Sequence, residues 1–284
     1  MTRATDDAGG SRRERRSATP RGNPWRTALT HVEPNRILVR GYPVDEAMGR
    51  ISFAEAVYLL FTGELPTPAI GTLMDAVLVS SIDHATTPPS TLATRHVASA
   101  GASIRASVAA GVLAFGHYHG GDIENGMRFL DEAAGLVRGG LSREEAAWQL
   151  VTRYRQQHER VPGFGHRIHT SDPRAARLFQ LAFELELDGE HVQMVRAVER
   201  ALNANRTPEE PRIPINVDGA IAAVCCDIGL DPSFGNALFM IARVPGLVAH
   251  AWEEQRRQRP MRSIDAGQAE YDGPVERRLP EHRR

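Results

Sequence analysis

The chain has 284 residues, 42% hydrophobic and 24% charged, with 34 basic against 35 acidic side chains and a formal net charge of −1. Such a composition builds a core and excludes global disorder, and the charge balance exerts no general pull toward nucleic acid or lipid. All 34 basic residues are arginine, which excludes a Walker A lysine, a lysine Schiff base and a pyridoxal-phosphate anchor.

Residues 1–23 carry Gly, Ser and arginines with almost nothing apolar, and are expected to be a disordered tail. Asp6, Asp7 and Glu14 count against a transit peptide, and no secretory apolar region is present. Ile37–Val39 followed by Gly41-Tyr42-Pro43 predicts a short hairpin. Ser52 with Glu55 predicts a capping box opening a helix that Gly63 stops, and Ser142 with Glu145 repeats the device. The Ala- and Gly-rich stretch from Ser99 to Phe115 suits a helix packed closely against others. Its apolar run from Val108 to Phe115 is the longest in the chain and far short of a bilayer span, so no membrane is expected. Asp172-Pro173 and Asp231-Pro232 each place a capping carboxylate before a proline at the first helical position. Ile213–Val217 predicts a short extended piece, and the tail 276–284 is solvated. No βαβ alternation and no GxGxxG occurs, so the pattern predicts an all-α protein. Cys225 and Cys226 are adjacent, giving neither a disulfide framework nor a paired ligand set, and a reducing cytoplasm is the natural setting.

Four polar clusters interrupt the helical pattern: Asp83-His84 before Thr86-Thr87-Pro88-Pro89; His117-Tyr118-His119-Gly120-Gly121-Asp122; Val161-Pro162-Gly163-Phe164-Gly165-His166-Arg167 running into Asp172-Pro173-Arg174; and Asn216-Val217-Asp218-Gly219. Each sets a histidine or carboxylate beside glycine or proline, where a backbone can approach a ligand. Alternatives stay open at this level. His84 suits a helix end, His117 and His119 suit a metal as readily as a base, and Asp218 can simply cap a helix. Arg174 in a first helical turn is disfavoured by the macrodipole and calls for an anionic partner. Together, histidines, arginines and one aspartate suit a carboxylate substrate and proton transfer at carbon.

In chain order, RGYPVDEAMG, FAEAVYLLFTGELPT, YHGG, PGFGHRIHTSDPR, NVDG and IARVPGLVAHAWEEQ followed by RP resemble the signature set of the citrate synthase family, over about residues 25–273. The resemblance implies an all-α fold with a large domain (24–121 and 213–275), a smaller inserted domain (122–212) and a homodimer. It implies coenzyme A thioester and dicarboxylate or tricarboxylate substrates, no permanently bound cofactor and no metal at the site. Matched motif by motif, His119 would stabilise a thioester enol, His166 would polarise the oxaloacetate carbonyl and Asp218 would remove the acetyl methyl proton. His84, Arg174 and Arg243 would bind the dicarboxylate, joined by Arg259 from the partner subunit. The backbone of Val161, Pro162, Gly163, Phe164 and Gly165 would line the coenzyme A site. ThrThrProPro after the first histidine, glycine after Asp218 and the short length resemble the stand-alone citryl-CoA lyase branch. Retention of His119 keeps the full synthase reaction open, and HisGlyGlyAsp brings an extra charge, Asp122, near the site. Two further readings are a metal-dependent hydrolase using Asp83, His84, His117, His119 and Asp122, and a non-catalytic binder of CoA esters or dicarboxylates.

Overall fold

A computed structural model describes residues 25–116, 119–120, 122–207, 209–263 and 265–279, in two compact units divided after Met48. The expected tail 1–23 lies outside the described residues, and of the C-terminal tail 276–279 are irregular and exposed.

The first unit is an antiparallel meander of β1 (Thr30–Glu33), β2 (Arg36–Val39) and β3 (Tyr42–Pro43), closed by one helical turn, α1 (Val44–Ala47). Val39 pairs with Tyr42 across Arg40 and Gly41, both at positive φ (49° and 89°), the backbone that a two-residue hairpin turn requires. The expected hairpin is therefore present. β1 extends it by pairing Val32 with Ile37, although THVE carries little strand propensity of its own.

The second unit is helical: α2 (Phe53–Thr62), α3 (Pro68–Ser80), α4 (Pro89–Ser99), α5 (Ile104–Leu113), α6 (Asp122–Arg138), α7 (Arg143–Gln156), α8 (Pro173–Glu184), α9 (Glu190–Asn203), α10 (Val217–Asp227) and α11 (Gly235–Arg257). Both capping boxes form, and Gly63 closes α2 in the left-handed region at φ 86°. The stretch from Ser99 to Phe115 turns at Gly101 (φ 83°) before α5 starts on its Ser103 cap, so it holds one short helix rather than a long one. Gly111 lets α5 approach α4, because a Cβ there would run into Ser90 and Thr94. Asp231-Pro232 opens only a 3-10 turn (Pro232–Phe234), and α11 follows directly.

α10 is the core helix. Every residue from Val217 to Cys225 except Asp218 is buried, and its small side chains let α6, α8 and α9 pack closely around it. α11 runs against α3, α4, α5 and α6. By length and composition Pro232–Arg257 is apolar enough to cross a bilayer. Here its apolar side chains Leu238, Ala242, Leu247 and Ala251 fill the core, and it buries Glu254, which accepts from Arg95 (2.7 Å) and Arg262 (2.8 Å). Nearly complete burial of that carboxylate is tolerated because two guanidiniums share it.

Candidate active site

The site grows from the N-terminus of α10. Asn216, not Asp218, is the cap: its side-chain oxygen accepts from the Gly219 N–H at 3.1 Å. Asp218 is thereby left without a capping task in the first turn, partly exposed on the wall of a cavity of about 970 Å³. The residues before it run extended and pair with the Val161–Gly165 loop: Gly165 N–H donates to the Pro214 carbonyl (2.8 Å), Asn216 N–H to Gly163 (3.1 Å), and the Asn216 side chain to Gly165 (3.0 Å). Gly163 and Gly219 make this possible. A Cβ on Gly163 would lie 2.5 Å from the Gly219 Cα, and Gly163 sits at φ 83°. The two glycines, 56 residues apart in sequence, meet backbone to backbone.

That loop delivers His166. Its Nδ1 accepts from the N–H groups of Ile168 (3.1 Å) and His169 (3.0 Å), so Nδ1 carries no proton and Nε2–H is the free donor. Burial lowers its pKa, with His169 adding to the effect, which keeps the ring neutral. His84 approaches from the opposite side, its ring centroid 5.8 Å from that of His166. Its pKa is also lowered, by burial and then by Arg174 and Arg243. Ala85, at φ 62°, holds the bend that presents it.

His119 sits on a tight return in which Gly116 and His119 exchange both main-chain hydrogen bonds (2.8 and 2.9 Å). Its Nε2 lies 2.8 Å from the Ser90 hydroxyl, a side chain with no exposure, and the ring packs beside Phe115 and Phe239. Burial and the Arg243 charge lower its pKa. A Ser90 hydroxyl donating to Nε2 leaves Nδ1–H as the donor of a neutral ring.

Arg174 has found the anionic partner its position demanded. Asp172 accepts twice from its guanidinium (3.0 and 2.8 Å) and also from the main-chain N–H groups of Arg174 (3.0 Å) and Val217 (3.1 Å), tying the first turns of α8 and α10 together. Burial alone would raise the Asp172 carboxyl, but its bonds to Arg174 outweigh that and hold it below the ordinary range. Arg243 on α11 is 2% exposed; its Nε donates to the Ser81 carbonyl (2.9 Å), its guanidinium stacks over Phe239, and one terminal nitrogen is buried with no partner. A buried guanidinium with an unused donor beside a cavity is built to receive an anion.

These charges set the chemistry of Asp218. Burial pushes its carboxyl up to about 6, the Asp122 carboxylate adds to the rise, and Arg174 and Arg243 oppose it. Asp122, the extra charge in HisGlyGlyAsp, thus lines the cavity and raises the basicity of Asp218.

The cavity brings together His84, His119, His166, Arg174, Asp218 and Arg243. Arg259 lies exposed beyond α11 and outside it. Of the loop 161–165, Val161 to Phe164 are buried and only Pro162 reaches the cavity wall. His117 lies outside the described residues. Among the described residues, Asp83, His84, His119 and Asp122 do not converge as a set of metal ligands, and Asp83 is engaged by His250 Nε2 (2.9 Å) and the Ala85 N–H (3.2 Å). Sequence reading missed Ser90 and the carbonyl of Ser81, which no motif marks. It also missed Arg128, inside α6, and Arg160, in the loop after α7, which line the cavity together with Arg167 of the third polar cluster and carry no motif of their own.

The citrate synthase C-terminal domain profile matches residues 67–263. The chain belongs to the citrate synthase family. Citryl-CoA lyase from Hydrogenobacter thermophilus shares 40% identity with this family member, with a TM-score of 0.81 over 91% of this chain and 98% of that one. Citrate synthase 2 of Bacillus subtilis (strain 168) is 28% identical over 226 residues, covering 78% of this chain and 56% of that protein. The ATP citrate lyase of Methanothrix soehngenii, solved with citrate and coenzyme A, shares 20% identity and a TM-score of 0.77 over 91% of this chain and 43% of its own, a likeness of fold. The chain spans about half the length, or less, of the curated relatives it matches. The expected helical, citrate synthase-like fold is borne out.

Proposed function

We propose that this protein breaks, or in reverse makes, the carbon–carbon bond of citryl-CoA, interconverting it with acetyl-CoA and oxaloacetate. One observation carries the reading: a carboxyl raised to about 6 faces the same cavity as neutral imidazoles and fixed guanidiniums. A thioester methyl is a weak carbon acid, so its proton leaves only if the base is desolvated and the enol oxygen is hydrogen-bonded as it forms. In the condensing direction Asp218 removes the methyl proton while His119 donates to the thioester oxygen. The carbon then attacks the oxaloacetate carbonyl, which His166 polarises through Nε2–H. In cleavage the alcohol proton passes to solvent water while His166 Nε2–H stays on that oxygen, the bonding pair moves into the thioester enol that His119 holds, and Asp218 in its acid form returns a proton to carbon. In condensation the new alkoxide takes its proton back from water. Arg174, Arg243 and His84 hold the carboxylates, and Arg128, Arg160 and Arg167 offer charge to the coenzyme A phosphates.

We extend the reading to a homodimer, with residues 122–212 as the smaller lobe. α5 supports the dimer: Ala106, Ala109 and Leu113 form an exposed apolar face, continued by Val248 and Trp252 on α11, and Arg259 follows that helix toward a partner. Two free thiols, Cys225 and Cys226, fit a cytoplasmic setting.

The lyase direction rests on full-length similarity to a citryl-CoA lyase and on ThrThrProPro in the His84 loop. Retained His119 favours a second reading, the full synthase, which also hydrolyses the thioester. Incubation with citryl-CoA separates them. Acetyl-CoA and oxaloacetate without free thiol establish the lyase; thiol release from acetyl-CoA plus oxaloacetate establishes the synthase. Inactivity toward both overturns the proposal.

A further inference from the structure

Away from the cavity, three helices bring unlike ligand side chains to one point. Asp131 on α6, His191 on α9 and Cys226 near the end of α10 offer an oxygen, a nitrogen and a sulfur within 4.8 Å of one another. His191 is 8% exposed, and its Nε2 is fully buried without a hydrogen-bond partner. That nitrogen lies 3.2 Å from the Asp131 carboxylate, too poorly aligned to bond it, yet close to the edge of about 3.4 Å expected between ligands of a tetrahedral zinc ion. Its orientation is fixed from behind: Nδ1 lies 2.9 Å from Asp227, which also accepts from the His191 and Val192 N–H groups (3.0 Å each). A carboxylate clamping the far nitrogen of a histidine is how ligating imidazoles are held. Gly189 makes room for that clamp, since a Cβ there would strike the Asp227 carboxyl.

We propose that Asp131, His191 and Cys226 bind one zinc-class divalent cation, with Asp227 positioning His191. The mixed sulfur, nitrogen and oxygen set selects zinc over magnesium or calcium. Binding displaces the Cys226 thiol proton to solvent and forms the metal–sulfur bond; the thiol now points its proton between the Met127 carbonyl, 3.7 Å away, and the Asp131 carboxylate. Asp131 is 48% exposed, so water completes the fourth position from the solvent side. The ion would staple α6, α9 and α10 about 12 Å along α10 from Asp218.

Tag-free, chelator-treated protein titrated with Co²⁺ tests this directly. One equivalent should give a thiolate-to-metal absorption band and tetrahedral d–d bands, and Zn²⁺ should displace it and raise the thermal midpoint in a concentration-dependent way. Cys226→Ser should abolish the band, and Asp227→Asn should weaken binding about 10–100-fold. Should Cys226→Ser fail to fold, Asp131→Asn on the solvent face carries the same test. Absence of the band, undiminished binding in these variants, or binding lost instead in His84→Ala or His119→Ala overturns the proposal.

Discussion

Two loops present a histidine to the same cavity, and they are held in place by different means. The Val161–His169 loop is fixed by main-chain hydrogen bonds to residues 214–216 and by a glycine–glycine contact, and its own N–H groups set the His166 tautomer. The Ser81–Pro88 loop is fixed by side chains reaching across: His250 holds Asp83, and Arg243 holds the Ser81 carbonyl. A backbone-held loop tolerates changes of side chain and none of backbone space; a loop held by side chains behaves the other way round. The reaction demands that difference, since His166 must aim one proton while His84 only lends a donor to a charged ligand.

The largest expected effect cuts what the first loop is built around. Asp218→Asn should lower turnover about 10²–10⁴-fold in either direction. The same substitution should stabilise the fold. The native pKa of about 6 lies above the ordinary 3.8, so the stability associated with the acid form is complete below pH 4 and lost as pH rises through 6. Denaturant unfolding should therefore find Asp218→Asn more stable by about 2 kcal/mol at pH 7.5, the gap closing near pH 4. In the wild type, kcat/KM for condensation should rise as pH climbs through about 6, and Asp218→Asn should lose that limb. A limb retained in Asp218→Asn would mean that Asp218 is not the group exchanging protons with carbon.

Next comes Gly163→Ala, which leaves every catalytic side chain in place. Its Cβ meets the Gly219 backbone at a φ that alanine rarely adopts, for a cost of about 3–4 kcal/mol. The displaced His166 should lose about 10²-fold in kcat. Circular dichroism and turnover together check this; a fully active, stable Gly163→Ala would remove the glycine contact from the account.

The same contrast marks what could be read from the sequence. The backbone-held loop was legible because glycines, prolines and caps act through neighbours in the chain: the Ser52 and Ser142 boxes, the Gly63 stop, and Asp172 before Pro173 all appear where expected. The need of Arg174 for an anion was legible from the macrodipole alone. Packing at long range was not. Nothing in ThrThrProProSer marks the Ser90 hydroxyl as the support of a histidine 29 residues on. Asp218 looked like a cap until Asn216 took that role, and the adjacent cysteines concealed that Cys226 alone turns toward α6 and α9.

The smallest effect tests the loop held by side chains. His250→Ala removes one tie on Asp83 and leaves the Arg243 bond to the Ser81 carbonyl intact. A single hydrogen bond to a carboxylate contributes about 1–2 kcal/mol, so kcat/KM should fall roughly 10-fold. The loss should appear in KM for the dicarboxylate, because His84 binds the ligand while Asp218 and His119, on other elements, govern the proton steps. Steady-state kinetics in both substrates decides the point. A loss confined to kcat, or one as large as that of Gly163→Ala, would show that the His84 loop also aims a reacting group, and the division of labour between the two loops would fail.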